Sequence, residues 1–442
     1  MENWKEYYNS HMMTTEEVVK LIESGDRIWI GNTCDVPYNQ LDALADRYEE
    51  LEDVVTFSNL FAKPLKMLTD AKYGKAFHHI SYYPGPVERA GFKLGMVDYA
   101  SIPYGYFWSS AVDRYQVNTV MIETSEPDED GYINIGSWGC FLLAEILKRS
   151  TVKKFIAVVN RYIPAAQAID EKLLRLPAES FAAFCRDDHP LAVMTEGEPS
   201  QYDKDIAARI MPYVHDGDVL QVGKGGLGNA IGACLVDKKD ITVYSEILSD
   251  WVVALDQAGS LKAVRAAGCF GSQELYDFAE TSPKIVFDTT PHLVQPEEIS
   301  KWDNFVGINA CMMVDLTGQS CSEGSGTWQY SAVGGQLDFV KGANKIRSQG
   351  RRGLQFLALR STRTDKDGKL YSNIVVEFPP ASAVTCPRSE AMYYATEYGV
   401  ADLWGKTLNE RVKAMIAIAH PDFREELKER AIALNLARPS DF

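Results

Sequence analysis

Two parts of this chain repeat one another, and the repeat limits the folds open to it. Asp53-Val-Val-Thr-Phe-Ser-Asn59-Leu answers Asp240-Ile-Thr-Val-Tyr-Ser-Glu246-Ile at an offset of 187 residues, and at the same offset Asp128-Glu-Asp-Gly131 answers Asp315-Leu-Thr-Gly318. The order of elements repeats too. A helix from Thr14 to Gly25, opened by a Thr14–Glu17 capping box, leads into a strand over Asp26-Arg-Ile-Trp-Ile-Gly31. Residues 205–217 read as the matching helix, bent or ended at Pro212, before a strand over 218–223. Helices alternating with strands in both halves predict an α/β protein built from two similar open, largely parallel sheets. The expected domains are 1–195 and 200–442, joined where turn formers cluster in Thr195-Glu-Gly-Glu-Pro-Ser200. Near the C-terminus, Leu408–Ala419 reads as an amphipathic helix and the remainder, to Phe442, as a polar-faced one.

Charge and composition exclude several functions. Lys and Arg number 45 against 61 Asp and Glu, for a net charge of −16. A nucleic-acid partner needs clustered cations to meet phosphates, so none is expected. No apolar run approaches the ~18 residues of a membrane span, and Met1-Glu-Asn-Trp-Lys-Glu has no apolar signal core. A cytoplasmic protein without a membrane partner is expected. The eight cysteines include no CxxC pair and the seven histidines no HExxH, so no metal site is expected. The cysteines read as small buried hydrophobes in a reducing compartment.

Ligands of open parallel sheets sit at the carboxyl ends of the strands. The second half places two notable features there. One is Gly223-Lys224-Gly225-Gly226-Leu-Gly228, between a strand and a helix, where bare amides and a helix N-terminus suit an anion. The other is Glu246, at the end of the next strand. Together they match the G-x-G-x-x-G dinucleotide fingerprint with an acid about 20 residues on, which would put Glu246 on a ribose. Capping of the following helix and catalysis are the alternatives. A second glycine turn at Val333-Gly334-Gly335-Gln336 could present N–H groups to an oxyanion, and a dinucleotide fold gives no reason for it.

Taken in order, several stretches resemble the acetyl-CoA hydrolase/transferase family, the single-chain family I CoA-transferases that include 4-hydroxybutyrate and butyryl-CoA transferases. They are Pro127-Asp128-x-x-Gly131, Gln221-Val-Gly-Lys-Gly225, Ser245-Glu246-Ile-Leu-Ser-Asp250, Ile308-Asn309-Ala-Cys, Val333-Gly-Gly-Gln-Leu-Asp-Phe339, Thr396-Glu-Tyr-Gly399 and Ile418-Ala-His-Pro-Asp-Phe423. The resemblance runs from residue 4 to about 430. It implies two similar α/β domains with the active site at their interface, and Glu246 as nucleophile. It also implies oxyanion donors in Asn309, Gly334 and Gly335.

A glutamate suits such chemistry because its carboxylate can attack a thioester and then carry CoA itself, with ping-pong kinetics. Glu246 is expected to be ionised without needing a raised pKa. No tightly bound cofactor is expected, since CoA is itself a substrate. Gly223, Lys224, Gly225, Gly226, Gln336, Lys341 and Arg388 are the candidate CoA contacts, with Arg351, Arg352 and Arg360 as further cations for its phosphates. The expected partners are an acyl-CoA of the short C4 type, a carboxylate such as acetate, and further copies of the chain in a homo-oligomer. An acyl-CoA hydrolase is the alternative within the fold and an NAD-binding oxidoreductase the remote one. The resemblance breaks at Trp251, where the family has glycine. An indole five residues past Glu246, in a helix capped by Ser249 or Asp250, either narrows the acyl pocket or fills core.

Overall fold

The computed structural model describes residues 3–149, 151–194 and 197–442. By packing, the chain divides into two compact units, Met1–Thr195 with Arg265–Leu293, and Glu196–Val264 with Val294–Phe442. The stretch Arg265–Leu293, from the second half of the sequence, thus belongs to the first unit.

The first unit holds strands β1 (Arg27–Asn32), β2 (Val54–Asn59), β3 (Phe77–Ser81), β4 (Val97–Tyr99), β5 (Thr119–Thr124), β6 (Lys154–Val159) and β7 (Ala183–Arg186). They run in the order β7-β6-β5-β1-β2-β3-β4, with a two-residue strand Met12–Met13 beyond β7, and every pairing is parallel. Strands covered on both faces need unbroken apolar side chains. Ile28, Ile30, Val54, Met121, Ile156 and Val158 supply them, all with no exposed surface.

The second unit uses β8 (Val219–Val222), β9 (Ile241–Leu248), β10 (Phe305–Ala310), β11 (Gly353–Ala358) and β12 (Tyr393–Thr396). Their order, β9-β8-β10-β11-β12, is parallel throughout, and an antiparallel β13 (Gly399–Asp402) pairs with β12. That order corresponds strand for strand to β2-β1-β5-β6-β7. The repeat extends to single turns. Asp53 and Asp240 both take a left-handed φ of 56°, and Gly131 and Gly318 take 86° and 92°. The Asp128 carboxylate accepts from the Asp130 and Tyr132 amides, and the Asp315 carboxylate from those of Thr317 and Gln319. Side chain and glycine thus fold both turns by the same bonds.

Helices α1 (Gln201–Ile210), α2 (Gly226–Leu235), α3 (Trp251–Gln257), α4 (Gln336–Ser348), α5 (Leu408–Ala417) and α6 (Pro421–Ala433) complete the second unit's framework. Val412, Met415 and Ile416 of α5 bury themselves with Val314, Leu357, Tyr394 and Leu403. Pro212 ends α1 as expected, turning Met211–Tyr213 into a 3-10 segment. The helix expected over Thr14–Gly25 is shorter. Its capping box forms, but the α-helix covers only Thr15–Val18, followed by a 3-10 turn over Val19–Leu21. Arg47 takes the carbonyls of Val19 and Ile22, which helps end the segment there. Among the described residues no helix is long and apolar enough to cross a membrane, and no group of three His, Cys, Asp or Glu could hold a metal ion.

Candidate active site

Three adjacent parallel strands of the second unit end side by side and bring the candidate residues together. Val219 and Leu220 pair with Thr242 and Val243, and continuing that register sets Gly223 beside Glu246. On the other side Val222 pairs with Ile308, and the Gly223 amide donates to the Ile308 carbonyl at 2.9 Å, which sets Gly223 beside Asn309. Side chains alternate along a strand, so Glu246, Asn309, Gln221 and Gln355 share one sheet face. Helix α4 covers that face: Phe339 lies 6.2 Å from Phe305 and 6.4 Å from Tyr244, between ring centroids. The turn before α4 is thereby pressed against the nucleophile candidate. A Cβ on Gly335 would stand 2.0 Å from Glu246 Oε1 and 2.8 Å from its Cδ.

Glu246 is held in an unusual state for a carboxyl. Its Oε1 is buried and has no hydrogen-bond partner among the described residues. Burial pushes its pKa up to about 8, the Asp338 carboxylate adds to the rise, and the Gly335 amide opposes it. Asp338, on the first turn of α4, is itself lifted to about 6 by burial, with Lys341 pulling it down. The burial of Oε1 thus lifts Glu246 above the unshifted carboxylate expected from sequence, although the residue as a whole is half-buried. Attack requires the ionised form. The kcat/KM of the free enzyme for an acyl-CoA should thus rise about tenfold per pH unit below 8 and level off above it. A pH–rate profile that is flat through this range would show that Glu246 is already ionised at neutral pH.

The other candidates fall into three groups. Gly223, Lys224 and Gly225 form the link from β8 to α2, and Gly226 is the first residue of that helix. The helix end is not an empty anion cradle, however: a Cβ on Gly226 would lie 2.9 Å from Asp203 Oδ2, so a carboxylate already stands there. Gln336 has both amide ends engaged, accepting from Ser322 Oγ and donating to the Ala310 carbonyl, each at 2.8 Å. Lys341 and Arg388 are exposed. Arg351 and Arg352 are removed from the site: they precede β11, at the amino edge of the sheet, where Arg351 pairs with Asp303 and Arg352 with Asp218. Arg360, at the other edge, pairs with Asp203 at 3.2 Å. Gln355 and Asp338 were not singled out from sequence. A lone glutamine in the apolar run Gly353-Leu-Gln-Phe-Leu-Ala358 was the available signal for the first.

Trp251 opens α3, and Asp250 at the N-cap makes no side-chain capping bond to it. Trp251 packs against α2, where a Cβ on Gly232 would meet its Cβ and Cγ at 2.5 Å. With 8% exposure the ring fills the core between two helices. Trp251→Gly should therefore destabilise the fold by about 3–5 kcal/mol, as large-to-small core changes do, and leave the acyl chain-length profile unchanged. Thermal denaturation and a chain-length series on the folded fraction measure the two effects.

A separate cavity of about 580 Å³ in the first unit, beside Tyr132, Arg161 and Arg175, includes none of these residues.

The acetyl-CoA hydrolase/transferase N-terminal domain matches residues 1–188 and the corresponding C-terminal domain residues 271–431, with Glu246 in the stretch between them. The butyryl-CoA:acetate CoA-transferase of Anaerostipes caccae is 32% identical over 99% of this chain and 100% of its own. The 4-hydroxybutyrate coenzyme A transferase of Clostridium kluyveri is 32% identical over 96% of this chain and 98% of its own. Among solved structures, RipA from Yersinia pestis superposes with a TM-score of 0.89 at 29% identity, covering 98% of this chain and 99% of that one.

Proposed function

The chain belongs to the acetyl-CoA hydrolase/transferase family, and from that premise we propose that it moves CoA between a short-chain acyl-CoA and a carboxylate such as acetate, with Glu246 as nucleophile. The observation that carries this reading is the Glu246 carboxyl itself, which stands near the carboxyl end of β9 against Gly335 with Oε1 unpartnered. A structural glutamate so placed would be capped or paired. One that must form a bond needs a free oxygen.

The ionised Glu246 attacks the thioester carbon, the C–S bond breaks, and CoA leaves as thiolate from a mixed anhydride. The thiolate then attacks the glutamyl carbonyl, releasing the first carboxylate and leaving CoA joined to Glu246 as a thioester. An acceptor carboxylate attacks that thioester, and the same two exchanges run in reverse, with no net proton uptake. Each tetrahedral intermediate carries an oxyanion. The Asn309 side-chain amide and the Gly334 and Gly335 backbone amides are its donors, and each is worth on the order of 3 kcal/mol. Lys224, Lys341 and Arg388 supply positive charge for the phosphates of CoA, against the net charge of −16. The curated relatives named for butyryl-CoA and 4-hydroxybutyrate support a C4 acyl group.

The test is mass spectrometry of the protein after incubation with butyryl-CoA. A CoA thioester on Glu246, discharged faster by acetate than by water, is the expected result. Discharge by water alone would make the protein a hydrolase, and no adduct together with retention on an NAD resin would overturn covalent transfer.

A further inference from the structure

We infer that Gln355 is a positioning residue, which fixes the orientation of Asn309 so that its amide nitrogen faces the reacting centre. The inference rests on the reading of Asn309 as an oxyanion donor. Gln355 Nε2 donates to Asn309 Oδ1 at 2.9 Å, and both side chains are buried. A side-chain amide has one accepting end and one donating end. With Oδ1 turned toward Gln355, Nδ2 is turned away, to 3.3 Å from where a Cβ on Gly223 would stand. Gly223 lies next to Glu246 in the strand register, so this is the orientation that offers N–H groups to an oxyanion formed there. Gln355 Nε2 also donates to the Phe356 carbonyl at 3.4 Å, which holds its donor end in place, so a flipped Asn309 amide would face donors with donors.

The geometry also shows what lets Gln355 reach. Its pairing partner on β10 is Gly307. A Cβ there would lie 1.9 Å from Gln355 Oε1 and 2.8 Å from its Cδ, so the side chain lies across the space a larger residue would fill. On the far side of Gly307 its other pairing partner is Gln221, which is 1% exposed. Neither amide atom of Gln221 nor Oε1 of Gln355 has a hydrogen-bond partner among the described residues. Buried amides left short of partners weaken a fold, and an apolar side chain at 355 would avoid that weakness. Holding Asn309 accounts for an amide at this position; packing does not.

Kinetics of Gln355→Met and Gln355→Leu, each made alone and on an Asn309→Ala background, test the inference with butyryl-CoA and acetate. Asn309→Ala is expected to lower kcat by ~100-fold. Either Gln355 variant should lower kcat by roughly 10-fold with KM within about twofold, since only the transition-state contact is misaligned. Gln355→Met, which is close in shape, should leave the melting temperature near that of the wild type, since losing the bond to Asn309 Oδ1 offsets removing the unpartnered Gln355 Oε1. On the Asn309→Ala background neither variant should cost anything further, because there is no amide left to hold. Full kcat in both Gln355 variants, with Asn309→Ala still impaired, would overturn the inference and leave the oxyanion reading standing. A loss of equal size on both backgrounds would also overturn it, as a general structural effect. An unimpaired Asn309→Ala would remove the oxyanion reading and this inference with it.

Discussion

Alanine at position 246 lowers CoA transfer by ~10⁴-fold or more, as removal of a nucleophile does, while the protein stays folded. The chemistry requires a carboxylate that can become first an anhydride and then a thioester, and an alanine methyl can do neither. Folding survives because the lost group contributes no hydrogen bond from Oε1 and has been lifted by burial to a pKa of about 8. The sign of the stability change follows from that shift. A carboxyl whose pKa is higher in the folded state than in the unfolded one holds its proton more tightly in the native protein. The native state then loses stability as pH climbs from the ordinary carboxyl value of 4.5 through about 8. Glu246→Ala and Glu246→Gln are accordingly expected to melt at or above the wild-type temperature at pH 9, and to differ least near pH 4. Transfer near the wild-type rate in a purified, normally melting Glu246→Ala protein would remove the nucleophile from its role.

The repeat was legible because it is written in residues that local geometry demands. Asp53 and Asp240 share a left-handed conformation, and Gly131 and Gly318 close turns tied by an aspartate three residues earlier. Such positions accept few residue types, so they remain recognisable at the same offset when the apolar strands between them have changed. Glu246 was legible for a related reason: it follows a glycine loop by one strand, and the carboxyl edge of a parallel sheet is where ligands collect. What could not be read depends on register and on contacts far apart in the chain. Gln355 reaches Asn309 across 46 residues because β10 and β11 pair in one register and because Gly307 leaves room. Sequence alone leaves Trp251 as pocket or core, and only the contact with Gly232 across two helices places it in the core. The elevated pKa of Glu246 belongs to the same class, since it comes from α4 closing over the strand ends and from Asp338, which is 92 positions further along the chain. The site's identity was therefore local information, and its tuning was not.

Gly335→Ala should lower kcat by ~100-fold, the cost of moving a reacting group by about 1 Å, although it removes no functional group. The backbone amide at 335 survives in the variant, so the effect isolates space from hydrogen bonding. A Cβ there would sit 2.0 Å from Glu246 Oε1, well inside van der Waals contact. Either the carboxyl rotates away or the first turn of α4 retreats, and both break the alignment of nucleophile and oxyanion donors. Retreat is resisted, because Phe339 is buried among Phe305 and Tyr244 just along the helix. Rotation of Glu246 is therefore the expected response, with KM for the acyl-CoA little changed. Gly334→Ala is the control. Gly334 has φ of 54°, a left-handed conformation that costs an alanine roughly 1–2 kcal/mol, while its backbone amide survives the change. That variant should lose stability in proportion to the strain and retain the larger share of kcat. Opposite signatures in neighbouring glycines, one kinetic and one thermal, are what a carboxyl held hard against position 335 requires. If Gly335→Ala transfers CoA within about threefold of wild type, far short of the cost of a 1 Å displacement, Glu246 reacts from a position clear of this turn.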